Sequence, residues 1–316
     1  MNETAFTARP PWWGGDLQTL RNFLLRVAPK LHLWTERELE LPLRGDDRLL
    51  ASLHAHERLG YKPLAILIHG LTGCADSSYI RATARSLLEA DYPVLRLNLR
   101  GAGATRALCQ ESYHAGRTQD LREALTGLAA QLPAAQTQPV LLIGYSLGGN
   151  MLLKFLGEGE SPWEVAGAAS ISAPIDLKAS SLAFLRPRNR LYHNYLLRRM
   201  KAETRGADPK LLRGIRTVYD FDDRIVAPAN GFADAEDYYA RSSALAYLPK
   251  ISTPTLAIHA LDDPWVPSAP YRSFDWSSNL ALRPLLPRGG GHVGFHGQGD
   301  RTPWHDRKIL EFLSRI

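Results

Sequence analysis

The stretch Pro139 to Leu156, PVLLIGYSLGGNMLLKFL, constrains this chain more than any other. An apolar run of strand length leads into Gly144-Tyr145-Ser146-Leu147-Gly148, and an apolar helical pattern leads out from Asn150. The G-x-S-x-G pentad alone is a common chance match. Between a strand and a helix it describes a nucleophile elbow, a sharp turn that lifts a serine hydroxyl clear of the backbone. A side chain at Gly144 or Gly148 would crowd the neighbouring strand or helix. The helix N-terminus behind Ser146 also points backbone N–H groups at developing negative charge. A plain strand-to-helix turn with a capping serine would explain the pentad but not the motifs that follow it.

The same rhythm runs through the chain. Strands are expected at Pro63–His69, Tyr92–Leu99, Pro139–Ile143, Val165–Ser172 and Pro254–Ala260. Helices are expected at Leu17–Val27, Tyr79–Glu89, Thr118–Leu132, Asn150–Leu156 and Trp304–Ile316. In the third of these, Leu121, Leu125, Leu128 and Leu132 fall on one side. Strands alternating with helices predict an α/β fold, a mostly parallel central sheet flanked by helices. Residues 174–248 break the alternation with helical patterns, a Tyr238-Tyr239 pair and many arginines. They read as a helical cap insertion in a single domain spanning 1–316, or else as an ordinary helical layer.

A serine hydroxyl needs a base. In a strand–elbow–helix enzyme the order along the chain is Ser, then Asp or Glu, then His. Of the ten histidines, His292 sits late in the chain within Gly289-Gly290-Gly291-His292-Val293-Gly294, a loop flexible enough to bring an imidazole to the serine. His296 and His305 compete. His305, at the start of the last helix, is expected to face solvent. The acid should follow the preceding strand, in Leu261-Asp262-Asp263-Pro264-Trp265-Val266-Pro267, where it would fix the imidazole tautomer. Asp263 fits a D-x-x-V-P ending and is preferred to Asp262. Asp222 and Asp223 form a weaker pair inside the insertion. For the oxyanion, His69-Gly70-Leu71-Thr72-Gly73 follows a strand. The backbone N–H groups of Leu71 and Leu147 are the expected donors, with His69 structural.

Composition narrows the alternatives. With 45% hydrophobic residues in 316, the chain can bury a large core. The net charge of +6 is mildly basic, and no basic–aromatic module points to nucleic acid. Two cysteines, Cys74 and Cys109, make no disulfide framework and favour free thiols in the cytoplasm. The N-terminus lacks the charged-then-apolar pattern of a standard signal peptide. No apolar run approaches the roughly 18 residues of an integral membrane segment. No metal motif is present, and no cofactor is needed.

The motifs together resemble the YheT-like branch of the α/β-hydrolases, which also includes membrane-associated eukaryotic ABHD lipases and yeast medium-chain ethyl ester synthases. The resemblance rests on Pro11-Trp12 through Gln18-Thr19, His69-Gly70-Leu71-Thr72-Gly73, Asn98-Leu99-Arg100-Gly101, Tyr113-His114-Ala115-Gly116 with Asp120-Leu121, Phe221-Asp222-Asp223 with Gly231-Phe232 and Asp237-Tyr238-Tyr239, and Gly290 to Phe295. It implies an α/β-hydrolase fold with a triad on Ser146, Asp263 and His292, and an esterase or lipase-like activity. Position 16 is Asp where the resemblance leads one to expect His, which argues against a catalytic role there.

Hydrolysis of carboxylic esters through an acyl-serine is therefore the leading expectation. Acyl transfer to an alcohol would use the same groups, and a non-catalytic binding protein of the same fold is the reading from another class. Leu182, Phe184, Leu185, Tyr192, Tyr195, Leu196 and Leu197 predict an apolar acyl pocket under the insertion, suited to medium-chain or lipid-like esters. Arg186, Arg188, Arg190, Arg198 and Arg199 would either form a solvated basic face or make peripheral contact with an anionic lipid surface.

Overall fold

In the computed structural model, residues 6–25, 29–55, 62–133, 138–204, 206–299 and 301–316 are described. Eight strands form one sheet in the order β1-β2-β4-β3-β5-β6-β7-β8. They are β1 (Thr35–Pro42), β2 (Arg48–Ala55), β3 (Leu64–Ile68), β4 (Val94–Leu97), β5 (Val140–Tyr145), β6 (Val165–Ile171), β7 (Thr255–Ile258) and β8 (Leu282–Leu285). From β4 to β8 every pairing is parallel; β2 pairs antiparallel with both β1 and β4.

The central strands β3, β4, β5 and β7 are buried at every residue. That is what a parallel sheet covered on both faces requires. Residues of β3 alternate between two cores. Leu64, Ile66 and Ile68 pack with residues of α3 (Thr118–Gln131) and α4 (Leu147–Glu158). Ala65 and Leu67 pack with residues of α2 (Ser78–Glu89) and the last helix, α12 (Trp304–Leu313). α4 is buried all round from Leu147 to Gly157, as suits a helix wedged behind the elbow.

Three strands escaped the sequence pattern, each for a physical reason. β1 reads Thr-Glu-Arg-Glu-Leu-Glu-Leu-Pro and buries only Leu39 and Leu41, since it forms an edge with one face to solvent. Its partner β2 alternates in the same way. β8, which follows the short helix α11 (Ala269–Ser273), is the other edge and carries Pro284, a residue sheets tolerate at edges, where the missing N–H costs nothing. The first helix, α1, spans Gly14–Leu25; the expected end at Val27 lies outside the described residues.

Between β6 and β7 the chain makes α5 (Leu177–Phe184), α6 (Arg190–Glu203), α7 (Pro209–Gly214), α8 (Val218–Phe221), a π-helical turn at Asp222–Val226, α9 (Ala227–Ala229) and α10 (Ala235–Ser242). No strand occurs there among the described residues. This helical insertion has a small core of its own, with Phe184, Leu196, Met200, Ile215, Val218 and Phe221, and it packs on Leu71 and Trp265 from the loops after β3 and β7.

One expectation is corrected. His305 does not face solvent: it is 1% exposed. α12 lies against the sheet and turns His305 inward, edge-on to Tyr145 and Phe295. Burial pulls its pKa down to about 3.

Candidate active site

Ser146 sits between β5 and α4 with φ 51° and ψ −122°, a left-handed conformation disfavoured for a residue with a Cβ. Hydrogen bonds hold the turn from both sides. The Ser146 N–H donates to the Ile171 carbonyl (2.8 Å), and the Ser146 carbonyl accepts from the Asn150 N–H (3.1 Å). Gly148 is required by close approach, since a Cβ there would lie 2.3 Å from the His69 carbonyl oxygen.

His292 and Asp263 reach the same point from the loops after β8 and β7. His292 Nε2 lies 3.0 Å from Ser146 Oγ, and His292 Nδ1 lies 2.8 Å from Asp263 Oδ2. With Nδ1–H donating to the carboxylate, Nε2 is left as an acceptor for the serine O–H. Asp263 Oδ1 accepts from the Trp265 and Val266 N–H groups at 2.8 and 3.0 Å. Burial alone would raise the Asp263 pKa; the charge and hydrogen bond of His292, with the Val266 N–H, outweigh it and hold the group below its ordinary value. Asp262 makes no bond to the imidazole. Its Oδ1 accepts from the Gly291 N–H (2.9 Å), steadying the loop that carries His292.

The loop after β3 passes directly beside the serine: a Cβ on Gly70 would lie 2.9 Å from that of Ser146. Two tyrosine hydroxyls pin it. The Gly70 N–H donates to Tyr79 (3.0 Å) and the Thr72 N–H to Tyr113 (2.7 Å). Leu71 lies between these anchors and lines the same cavity as Ser146 and Leu147. His69 is fully buried, and burial lowers its pKa to about 4. Its Nε2 accepts from the Leu99 N–H (3.0 Å), so Nδ1–H donates to the Gly70 carbonyl (2.8 Å). The imidazole is a strut of the loop.

Of the other sequence candidates, His296 is buried away from the serine, its backbone N–H donating to Gln18 Oε1 (2.7 Å). Asp223 accepts from the Ala235 N–H (3.1 Å) at the start of α10. Asp222 lines the cavity in front of Ser146 but touches neither His292 nor Ser146 among the described contacts. Asp16 accepts from Arg188 and from the Tyr192 hydroxyl, both at 2.9 Å, and so ties α1 to the insertion.

Several supporting residues were not assigned a role from sequence. Thr19 Oγ1 accepts from the His292 N–H (2.8 Å), and Gln18 bonds the backbone of His296 and Trp12. The Gln18-Thr19 pair of the opening motif thus braces the histidine loop; its place in that motif was the signal available. Trp265 stacks on the His292 imidazole with ring centroids 4.6 Å apart and planes 21° apart. No sequence pattern foretells that contact.

Two hollows meet at Ser146 and His292. The inner cavity, about 150 Å³, runs under the insertion between Leu177, Phe184, Leu196, Met200, Val218 and Val226. The outer cleft, about 870 Å³, opens between α1 and α6, past Phe23, Arg188, Tyr195 and Arg199. The arrangement sets a serine hydroxyl, hydrogen-bonded to an imidazole, where the two hollows meet.

A family model for the α/β hydrolase fold matches residues 63–208. The YheT esterase of Escherichia coli K12 is 32% identical over 310 residues, 94% of this chain and 89% of that protein. A monoacylglycerol lipase of Saccharomyces cerevisiae is 31% identical over 270 residues, 80% of this chain and 59% of that one. Among solved structures, an esterase of Pyrococcus furiosus superposes with a TM-score of 0.62 at 18% identity, over 90% of this chain and 93% of that one, a likeness of fold. On the E. coli relative's identity and coverage, this chain belongs to the YheT-like branch of the α/β-hydrolase family and is an enzyme of the ester hydrolase class.

Proposed function

We propose that this protein hydrolyses carboxylic esters through an acyl-enzyme on Ser146. The supporting observation is the unbroken relay from Ser146 Oγ to His292 Nε2 and from His292 Nδ1 to Asp263 Oδ2. His292 takes the proton as Oγ attacks the ester carbonyl carbon. The oxyanion of the tetrahedral intermediate accepts from the Leu71 and Leu147 N–H groups, and Asp263 stabilises the imidazolium. Collapse expels the alcohol, protonated by His292, and leaves the acyl group on Ser146. A water deprotonated by His292 then attacks that carbonyl and frees the carboxylic acid.

The insertion acts as a cap in this reading, and the inner cavity takes the acyl chain. Its apolar lining suits medium-chain or lipid-like acyl groups. The alcohol portion leaves through the outer cleft. Exposed apolar side chains line that cleft: Phe23 on α1, and Leu191 and Tyr195 on α6; Trp13 and Leu24 on or beside α1, and Leu185 just after α5, are exposed as well. Phe23 meets Tyr195 edge-on across the gap. With Arg186, Arg188, Arg190 and Arg198 interspersed, this face fits peripheral contact with an anionic lipid surface. Among the described residues no helix is long and apolar enough to cross a membrane.

Labelling with a fluorophosphonate and turnover of p-nitrophenyl butyrate test the chemistry. Both should vanish in Ser146→Ala, and turnover surviving in that variant refutes the reading. A p-nitrophenyl ester series should favour octanoate over acetate. Flotation should recover the protein with vesicles containing phosphatidylglycerol; no recovery ends the lipid-surface reading.

A further inference from the structure

The inner cavity carries one feature that the chemistry at Ser146 does not use. Among its apolar walls stands the carboxyl of Asp222, 8% exposed. Asp222 opens the π-helical turn, a local widening of the helix that often re-aims side chains at functional sites. Its Oδ2 lies 2.6 Å from the Tyr239 hydroxyl, which in turn lies 2.9 Å from Ser181 Oγ; Tyr239 and Ser181 also line the cavity. No partner is found for Asp222 Oδ1 among the described residues, and no basic side chain pairs with the group.

Resting on the reading of this hollow as an acyl pocket, we propose that Asp222 is a specificity-determining residue: with Tyr239 and Ser181 it seats a hydroxyl group carried on the acyl chain of the substrate. A plain alkyl chain would leave the free carboxyl oxygen buried against methylenes, which is unfavourable for any polar group. A hydroxyl fits because it can donate and accept. Burial pushes the Asp222 pKa up to about 7, so both forms of the carboxyl are present at neutral pH. When the group is ionised, Oδ1 accepts from the substrate O–H and Tyr239 donates to Oδ2. When it is protonated, the proton on one oxygen can be donated to Tyr239 or to the substrate oxygen. The Tyr239–Ser181 pair can reverse its donor direction to match.

The test compares kcat/KM for p-nitrophenyl octanoate with that for octanoate esters bearing a hydroxyl walked along the chain, in the native protein and in Asp222→Asn, Asp222→Leu and Tyr239→Phe. Native protein should favour the hydroxyl at one chain position by about ten- to a hundredfold. Asp222→Leu should bring that ratio to one or below, Asp222→Asn should keep part of it, and Tyr239→Phe should reduce it. No preference at any position in the native protein, or a preference that survives Asp222→Leu in a folded sample, overturns the proposal. If Asp222→Leu does not melt cooperatively, Asp222→Asn and Tyr239→Phe decide: a ratio reduced in both supports the proposal, and a ratio undiminished in either overturns it. If the acyl-serine reading itself is wrong, neither ester is turned over and Ser146 takes no fluorophosphonate, a result distinct from equal turnover of both esters.

Discussion

Replacing Ser146 by glycine should make the protein more stable than replacing it by alanine. Both substitutions remove the hydroxyl and its contact with His292, so that loss cancels in the comparison. What remains is the backbone at φ 51° and ψ −122°. A residue with a Cβ held in such a region costs about 1–3 kcal/mol, and alanine keeps that strain. Glycine relieves it and gives back roughly 0.5–1 kcal/mol in chain entropy. The net gain for glycine is about 1 kcal/mol. At roughly 2.1 cal/mol/K of unfolding entropy per residue, a chain of 316 residues would melt about 1.5 °C higher for that gain. Urea midpoints of the two variants, read by tryptophan fluorescence, resolve the difference. Both variants should be inactive toward p-nitrophenyl butyrate. If glycine proves less stable than alanine by its entropic handicap, the elbow is relaxed and the strain argument fails.

Three other outcomes follow from the geometry. Asp263→Asn should lower kcat about 10⁴-fold, because an amide favours the wrong imidazole tautomer, whereas Asp262→Asn, at a side chain that hydrogen-bonds the Gly291 N–H, should cost far less; equal losses would refute the division of labour. Trp265→Leu removes the ring stacked on His292 and should lower kcat about tenfold with partial rescue by Trp265→Phe, as measured at saturating ester; an unchanged kcat refutes a positioning role. Between pH 5 and 8 the urea midpoint of the native protein should fall relative to that of Asp306→Asn. Burial raises the Asp306 pKa from 3.8 to about 7, so its stabilising contribution is full below about pH 4 and is lost as pH rises through about 7. Asp222 adds to the same slope. Burial lowers the pKa of His69, His114, His259, His296 and His305 to about 3–4, which tilts both proteins the other way, so the difference between the two midpoints is the datum; a difference that does not change with pH would refute the role given to Asp306.

Much of this protein is legible in its sequence because a parallel sheet buried on both faces leaves dense apolar runs. β3, β4, β6 and β7 lie within segments read as strands, and β5 runs two residues past the end of its segment, to Tyr145. The strands that were missed share one property: each lies in or beside an edge, where one face meets solvent and the apolar signal is halved or broken. The elbow was legible because Gly144 answers a local demand: a Cβ there would lie 2.6 Å from the Gly148 carbonyl oxygen. Local demands leave local patterns.

What tertiary structure alone decided is which distant groups meet. Nothing in the order of residues says that Thr19 would hold the His292 N–H, 273 positions away, or that Tyr79 and Tyr113 would pin the two ends of the loop carrying Leu71. The D-x-x-V-P pattern favoured Asp263 over Asp262, but the turn at Pro264 is what directs Asp263 to the imidazole and Asp262 to the Gly291 N–H. His305 looked like a surface residue until α12 was laid against the sheet. Asp222 became meaningful only when the π-helical turn set it in a cavity shared with Ser146. The sequence by itself determined the periodicities, hence the sheet and its elbow, because these depend on neighbours along the chain. The fold decided the partners, because contact across the chain depends on where the elements come to rest.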